Sequence, residues 1–103
     1  MIVSLRKRYF KTGELCTVTF SLPKAGATAV RSVHVVGDFN GWNKHGSPMK
    51  KQKNGSFAGS ISLASGREYQ FRYLLDGERW ENDWKADKYV ANEYGGENSV
   101  VVV

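Results

Sequence analysis

The sequence predicts an all-β fold, an antiparallel two-sheet sandwich in a single domain spanning residues 1–103, and three observations carry that prediction. Apolar residues recur with a period of two almost throughout, the signature of half-buried strands. Turn residues interrupt the chain at short intervals, with Asn54-Gly55, Ser65-Gly66, Asp76-Gly77 and Gly95-Gly96 among them. No stretch carries a convincing amphipathic helix.

The strands follow in order. Residues 15–22 place Cys16, Val18, Phe20 and Leu22 on one side and Thr17, Thr19 and Ser21 on the other. A lone cysteine has no disulfide partner in the chain, and Cys16 in this register reads as a buried structural thiol. After a turn at residues 23–26, a strand is expected near 31–37, ending in a Gly/Asn-rich turn. Residues 48–53 and 56–63 flank Asn54-Gly55, whose residues tolerate the positive φ that a hairpin turn requires. In 56–63, Phe57, Gly59, Ile61 and Leu63 alternate with small polar residues. In 68–75, Tyr69, Phe71, Tyr73 and Leu75 alternate with Gln70, Arg72 and Leu74. A short strand at 78–80 follows Asp76-Gly77, and a last one is expected at 98–103. There Val100 and Val102 face one way and Val101 and Val103 the other, and the strand is expected to pair internally. Between them, residues 81–94 are polar and aperiodic and read as an irregular connection, a length that is uncommon and often functional. Six or seven short strands with such turns suit an immunoglobulin-like sandwich.

Charge and composition narrow the function. The net charge of +5 invites a nucleic-acid partner, yet the basic residues are spread among carboxylates. The one local cluster, Lys50-Lys51-Gln52-Lys53, runs into a turn and reads as a solvated flank. No apolar run approaches the ~20 residues that span a bilayer. Arg6, Lys7 and Arg8 have no apolar segment behind them, so a signal peptide is not expected and the location expected is cytoplasmic.

Two segments exceed what core packing needs. In Val35-Val-Gly-Asp-Phe-Asn-Gly-Trp-Asn43, a turn at the end of a strand carries an indole. In Tyr69-Gln-Phe-Arg-Tyr-Leu-Leu-Asp-Gly-Glu-Arg-Trp80, a second indole sits just past a hairpin turn. The face that Trp80 takes depends on that turn. A two-residue loop pairs Leu75 with Glu78 and sets Trp80 opposite Tyr73 on the core side. A three-residue loop with Gly77 in the left-handed position pairs Leu74 with Glu78 and sets Trp80 opposite Arg72 on the polar face. Pattern alone does not choose. On the polar face, Trp42, Trp80 and Arg72 would form an open platform for sugars. A pyranose packs its C–H face on an indole, and its hydroxyls need multi-donor partners such as Arg or Asn. Trp84, in the irregular segment, reads as structural.

Gly37-Asp-Phe-Asn-Gly-Trp-Asn43, Leu63-Ala-Ser-Gly-Arg-Glu-Tyr-Gln-Phe-Arg72 and Leu75-Asp-Gly-Glu-Arg-Trp80 together resemble the family-48 carbohydrate-binding modules. That group includes the early-set domains of isoamylases and branching enzymes and the glycogen-binding domain of the AMP-activated kinase β subunit. The resemblance is clearest over residues 33–103. It implies an early-set sandwich that binds α-1,4-glucan such as glycogen or starch. By the same resemblance, Trp42 and Trp80 match the two stacking tryptophans, and Arg72 stands where the kinase-type modules carry a sugar-binding Lys. Asn98 matches an Asn of like role, while Tyr94 and Gly96 stand where those modules place a Leu and a Thr against the sugar. The chain has one residue more between Gly77 and Trp80 than the kinase-type turn, which favours the three-residue loop if Trp80 is to face the ligand.

Catalysis is not expected of these residues. Glycoside hydrolysis needs two carboxylates about 5–9.5 Å apart flanking the scissile bond. Of the candidates Asp38, Asp76, Glu78, Asp83 and Asp87, two sit in turns where a backbone role suffices. His34 and His45 lack metal-ligand spacing and read as surface residues, so no metal or cofactor is expected. The alternative to sugar binding is a protein-interaction module of the same fold that docks on a glucan-metabolising enzyme. Burial of Trp80 beside Tyr73 would favour it.

Overall fold

A computed structural model describes residues 5–103, which form nine strands in two antiparallel sheets. The first sheet has the order β1-β2-β5-β4, built from β1 (Leu5–Tyr9), β2 (Leu15–Leu22), β4 (Lys50–Lys51) and β5 (Phe57–Ala64). In the second, β3 (Val33–Gly37), β6 (Glu68–Leu75), β9 (Glu97–Val102) and β8 (Lys88–Ala91) follow one another, and β7 (Arg79–Glu81) pairs with the C-terminal half of β6. Two single 3₁₀ turns, Lys24–Gly26 and Asp38–Asn40, sit in the connections.

The alternation read from the sequence builds the core between the sheets. Cys16, Val18, Phe20 and Leu22 of β2 are fully buried and face Val33 and Val35 of β3 and Phe71, Tyr73 and Leu75 of β6. Phe20 meets Phe71 edge-on at 5.0 Å between ring centres, and Phe71 meets Tyr73 at 5.7 Å. Burying each of these rings contributes about 1.5–3 kcal/mol. Val101 and Val103 join the core, Val100 and Val102 face the other way, and β9 is paired on both sides. It is therefore an interior strand.

Three expectations need correction. A strand precedes residue 15: β1 pairs with β2 from Leu5↔Phe20 to Tyr9↔Cys16. Its alternation is masked because only Leu5 is buried, and Arg6, Lys7 and Arg8 dress an exposed sheet edge. The segment 81–94 is not one irregular connection, since β7 runs to Glu81 and β8 occupies Lys88–Ala91. The register of β8 comes from β9 and not from its own, mostly exposed side chains. Third, His34 is half-buried on β3 with its Nδ1 enclosed, whereas His45 is exposed.

The interval before β8 is held by a buried polar knot. Tyr73 donates to Asp83 Oδ2 at 2.6 Å, the Asp83 N–H donates to Ser99 Oγ at 2.9 Å, and Ser99 donates to Asn82 Oδ1 at 2.8 Å. Burial, and then the adjacent Asp83 carboxylate, raises the Tyr73 pKa well above that of an ordinary phenol. Trp84 lies half-exposed against Gly26, at Leu22's end of the sandwich.

Candidate functional site

The β6–β7 hairpin decides where Trp80 goes. Asp76, Gly77 and Glu78 form the loop, with Asp76 at φ 53° and Gly77 at φ 70°, and the Glu78 N–H closes it on the Leu75 carbonyl at 3.0 Å. Leu75 pairs with Arg79, Leu74 with Trp80 and Tyr73 with Glu81. Neither register set out for the sequence forms, because the three-residue loop begins one position later. Its parity is nonetheless that of the three-residue alternative. Trp80 stands opposite Leu74, on the face that carries Gln70 and Arg72 and away from Tyr73. The Asp76 carboxylate fixes the turn by accepting the N–H groups of Arg31 and Ser32 at 2.8 and 2.9 Å. Those two bonds, Ser32 first, hold its pKa below that of an ordinary aspartate.

This outer face is not a plain polar surface. Val36, Leu74 and Val100 point away from the inter-sheet core and are still fully buried. Trp80, half-buried, stands across the strands from Leu74, one of these three. The Arg72 guanidinium carbon lies 5.7 Å from the centre of the Trp80 ring, a cation–π contact that braces both side chains. The Arg72 side chain makes no hydrogen bond to any described residue, and its Nε is enclosed without a partner.

Trp42 reaches the same groove from the β3–β4 connection by a different device. Gly37 ends β3 pressed against β6, where a Cβ would lie 2.4 Å from the Gln70 carbonyl oxygen. Asn40 then plugs the turn: its Oδ1 accepts the Gly37 N–H at 3.1 Å, and its Nδ2 donates to the Val35 carbonyl and to Ser47 Oγ. The chain turns back through Gly41 and Trp42 at φ 64° and 59°. A left-handed backbone is costly for a bulky residue and is kept only where its surroundings enforce it. Here the Trp42 N–H donates to the Gly37 carbonyl at 2.9 Å and its Nε1–H to Asp38 Oδ1 at 2.9 Å. With the Asp38 Oδ2 accepting the Gln70 N–H at 2.8 Å, the loop is tied to β6. The indole's polar atom is spent, and its ring is what remains to offer.

Trp42, Gln70, Arg72, Trp80, Asn98 and residues 91–94 line a groove of about 600 Å³. Five of the six residues singled out in the sequence line it: Trp42, Arg72, Trp80, Tyr94 and Asn98. Tyr94 is 87% exposed at the rim. Gly96 is not among the lining residues; its N–H donates to Asn92 Oδ1 at 3.0 Å within the turn after β8. Sequence reasoning missed Gln70, Ala91, Asn92 and Glu93. Gln70 was within reach, since it shares the parity of Arg72 on β6.

The family model described as the glycogen recognition site of AMP-activated protein kinase matches residues 15–103. The chain belongs to this family. The match extends the resemblance of the segments at 37–43 and 63–80 upstream through β2. Over 61 residues the chain is also 39% identical to a 1,4-alpha-glucan branching enzyme, GlgB, of Butyrivibrio fibrisolvens, across 55% of this chain. The chain spans 9% of that enzyme's length. The groove of this family member joins two half-buried tryptophans to open nitrogen donors.

Proposed function

We propose that the chain binds α-1,4-glucan of the glycogen or starch type in this groove, without catalysis. Trp42 and Trp80 stack on the apolar faces of successive sugars, and Arg72 and Asn98 bond their hydroxyls. Tyr94 closes the rim, and Gly96 contributes through the backbone of the turn that carries it. The observation that carries this reading is the hairpin register, which sets Trp80 beside Arg72 and opens both toward Trp42. Membership of a glycogen-recognition family and likeness to part of a branching enzyme support the same ligand class.

The arrangement that would favour protein docking over sugar binding, Trp80 buried beside Tyr73, does not form. Four of the five carboxylates weighed for hydrolysis have other work, and the fifth, Glu78, lies exposed in the hairpin loop outside the groove lining. Asp38 holds Trp42 and Gln70, Asp76 holds the hairpin turn, Asp83 is buried, and Asp87 pairs with Lys7 at 2.7 Å. Glu93 is the one carboxylate lining the groove, where the hydrolytic arrangement needs two.

The test is electrophoresis through native gels with and without glycogen, comparing the wild type with Trp42→Ala and Trp80→Ala. Retardation of the wild type that is lost in both folded variants is the expected result. An unretarded wild type would sink the glucan reading.

A further inference from the structure

The polar wall of the groove has a direction, and its origin is Asn92. The Asn92 side-chain oxygen accepts two backbone N–H groups, those of Tyr94 at 2.9 Å and Gly96 at 3.0 Å. Only the oxygen of an amide can accept, so the orientation of this side chain is fixed by the turn that encloses it. Its Nδ2 is then forced outward, where it donates to Asn98 at 3.2 Å. Asn98 must meet a donor with its oxygen, and its own Nδ2 therefore turns to Gln70 Oε1 at 3.0 Å. Gln70 ends the chain with Nε2, which makes no hydrogen bond to any described residue. The open groups on this wall are thus the Gln70 amide N–H pair, the second N–H of Asn98 and the Arg72 guanidinium. All are donors.

From this polarity we infer that Asn92 is a positioning residue for the groove. By spending its oxygen on two backbone groups, it aligns the Asn98 and Gln70 amides so that the wall reads acceptor oxygens. The ligand that suits such a wall displays neighbouring hydroxyl oxygens toward β6 and β9 and offers its own O–H hydrogens elsewhere. This rests on the glucan reading for the identity of the ligand, but the direction of the amide chain is a property of the free protein.

Asn92→Asp separates positioning from turn building. A carboxylate still accepts both backbone N–H groups, so the turn is kept, but it cannot donate to Asn98. Asn98 then flips to offer its Nδ2 to the new carboxylate, and the wall changes from donor to acceptor. The expected result is a melting temperature close to that of the wild type with maltoheptaose affinity, measured by calorimetry, reduced about tenfold, the order of one hydrogen bond. Wild-type affinity in Asn92→Asp would overturn the inference, since a residue that only builds the turn is replaced well by Asp. Gln70→Glu is the second variant, for it keeps the acceptor toward Asn98 and puts a charged acceptor oxygen where the free donors were; it is expected to lose at least a similar factor, and undiminished affinity would count equally against the inference. If the wild type does not bind maltoheptaose, the glucan reading falls, and the ligand-free protein still decides the relay. There the side-chain ¹H–¹⁵N signals of Asn98 and Gln70 are expected to move in Asn92→Asp, and unmoved signals would refute the alignment.

Discussion

The two outer faces of the sandwich come from the same polar alternation and end in opposite states. On the β1-β2-β5-β4 sheet, Thr19 and Ser60 hydroxyls bond across the strands at 2.8 Å and Thr17 and Ser62 at 3.4 Å. Arg6, Arg8 and Lys50 line the margins of that face. Its hydroxyls satisfy one another, and the exposed Tyr9 and Phe10 rings lie only at one end of it, beside Arg8 and Thr17. On the other sheet, three aliphatic side chains are buried on the outer face, Trp80 stands across from one of them, Leu74, and the amides and guanidinium beside it keep free donors. Polar-out alternation alone therefore does not mark a site. What marks one is a ring set across from a buried aliphatic side chain, beside hydrogen-bonding groups that the fold leaves unspent.

That contrast can be broken most severely at Asp38, which ties the Trp42 loop to the sheet. Asp38→Ala removes the acceptor for Trp42 Nε1 and for the Gln70 N–H together. Two lost bonds predict about 1–2 kcal/mol of stability, read by urea denaturation, because the site is exposed. Glucan affinity is expected to fall by about tenfold or more, because the left-handed Trp42 is no longer held against its strain. Unchanged affinity would mean that the Gly37 and Asn40 contacts suffice to place the ring.

A change of similar size in stability, but smaller in binding, is expected from beneath the same sheet. Tyr73→Phe takes one donor from the buried Asp83 and loosens the knot that leads into β8, the strand whose last residue, Ala91, lines the groove. The cost is about 1–2 kcal/mol at neutral pH. The sign of its pH dependence follows from the raised phenol pKa. The folded state keeps the proton longer than the unfolded chain, so the contribution is whole below about pH 10 and is lost as pH rises through the folded value. Denaturation curves of wild type and variant should therefore converge in alkali. A gap that stays constant across that range would show that the hydroxyl proton is not linked to folding.

Much of this was legible in the residues, and the parts that were not share a cause. Cys16, Val18, Phe20 and Leu22 declare their face by period alone, and so do Phe71, Tyr73 and Leu75. Trp80 could not, because a one-residue change in a turn reverses a face, and the turn that forms starts one position beyond the one considered. β1 and β8 went unseen because their side chains are mostly exposed and their strand character is supplied by partners. Gln70 was readable from its parity with Arg72. Asn92 was not, since its role depends on two backbone N–H groups brought together by the turn at residues 92–96. Residues that bury a side chain write that fact locally, whereas residues that act on the backbone of a loop do not.

The smallest effect is the one expected on the closed face. Thr19→Val replaces a half-buried hydroxyl whose partner, Ser60, is exposed and can bond water in its place. Valine keeps the branched shape and suits a strand, so the loss of one neutral bond and the gain in β propensity roughly cancel. Stability is expected to change by no more than about 0.5 kcal/mol and glucan affinity not at all. This prediction is the sharper for being near zero. If Thr19→Val weakens glucan binding while the protein stays folded, the two faces are not independent, and the division between a spent surface and an unspent one fails.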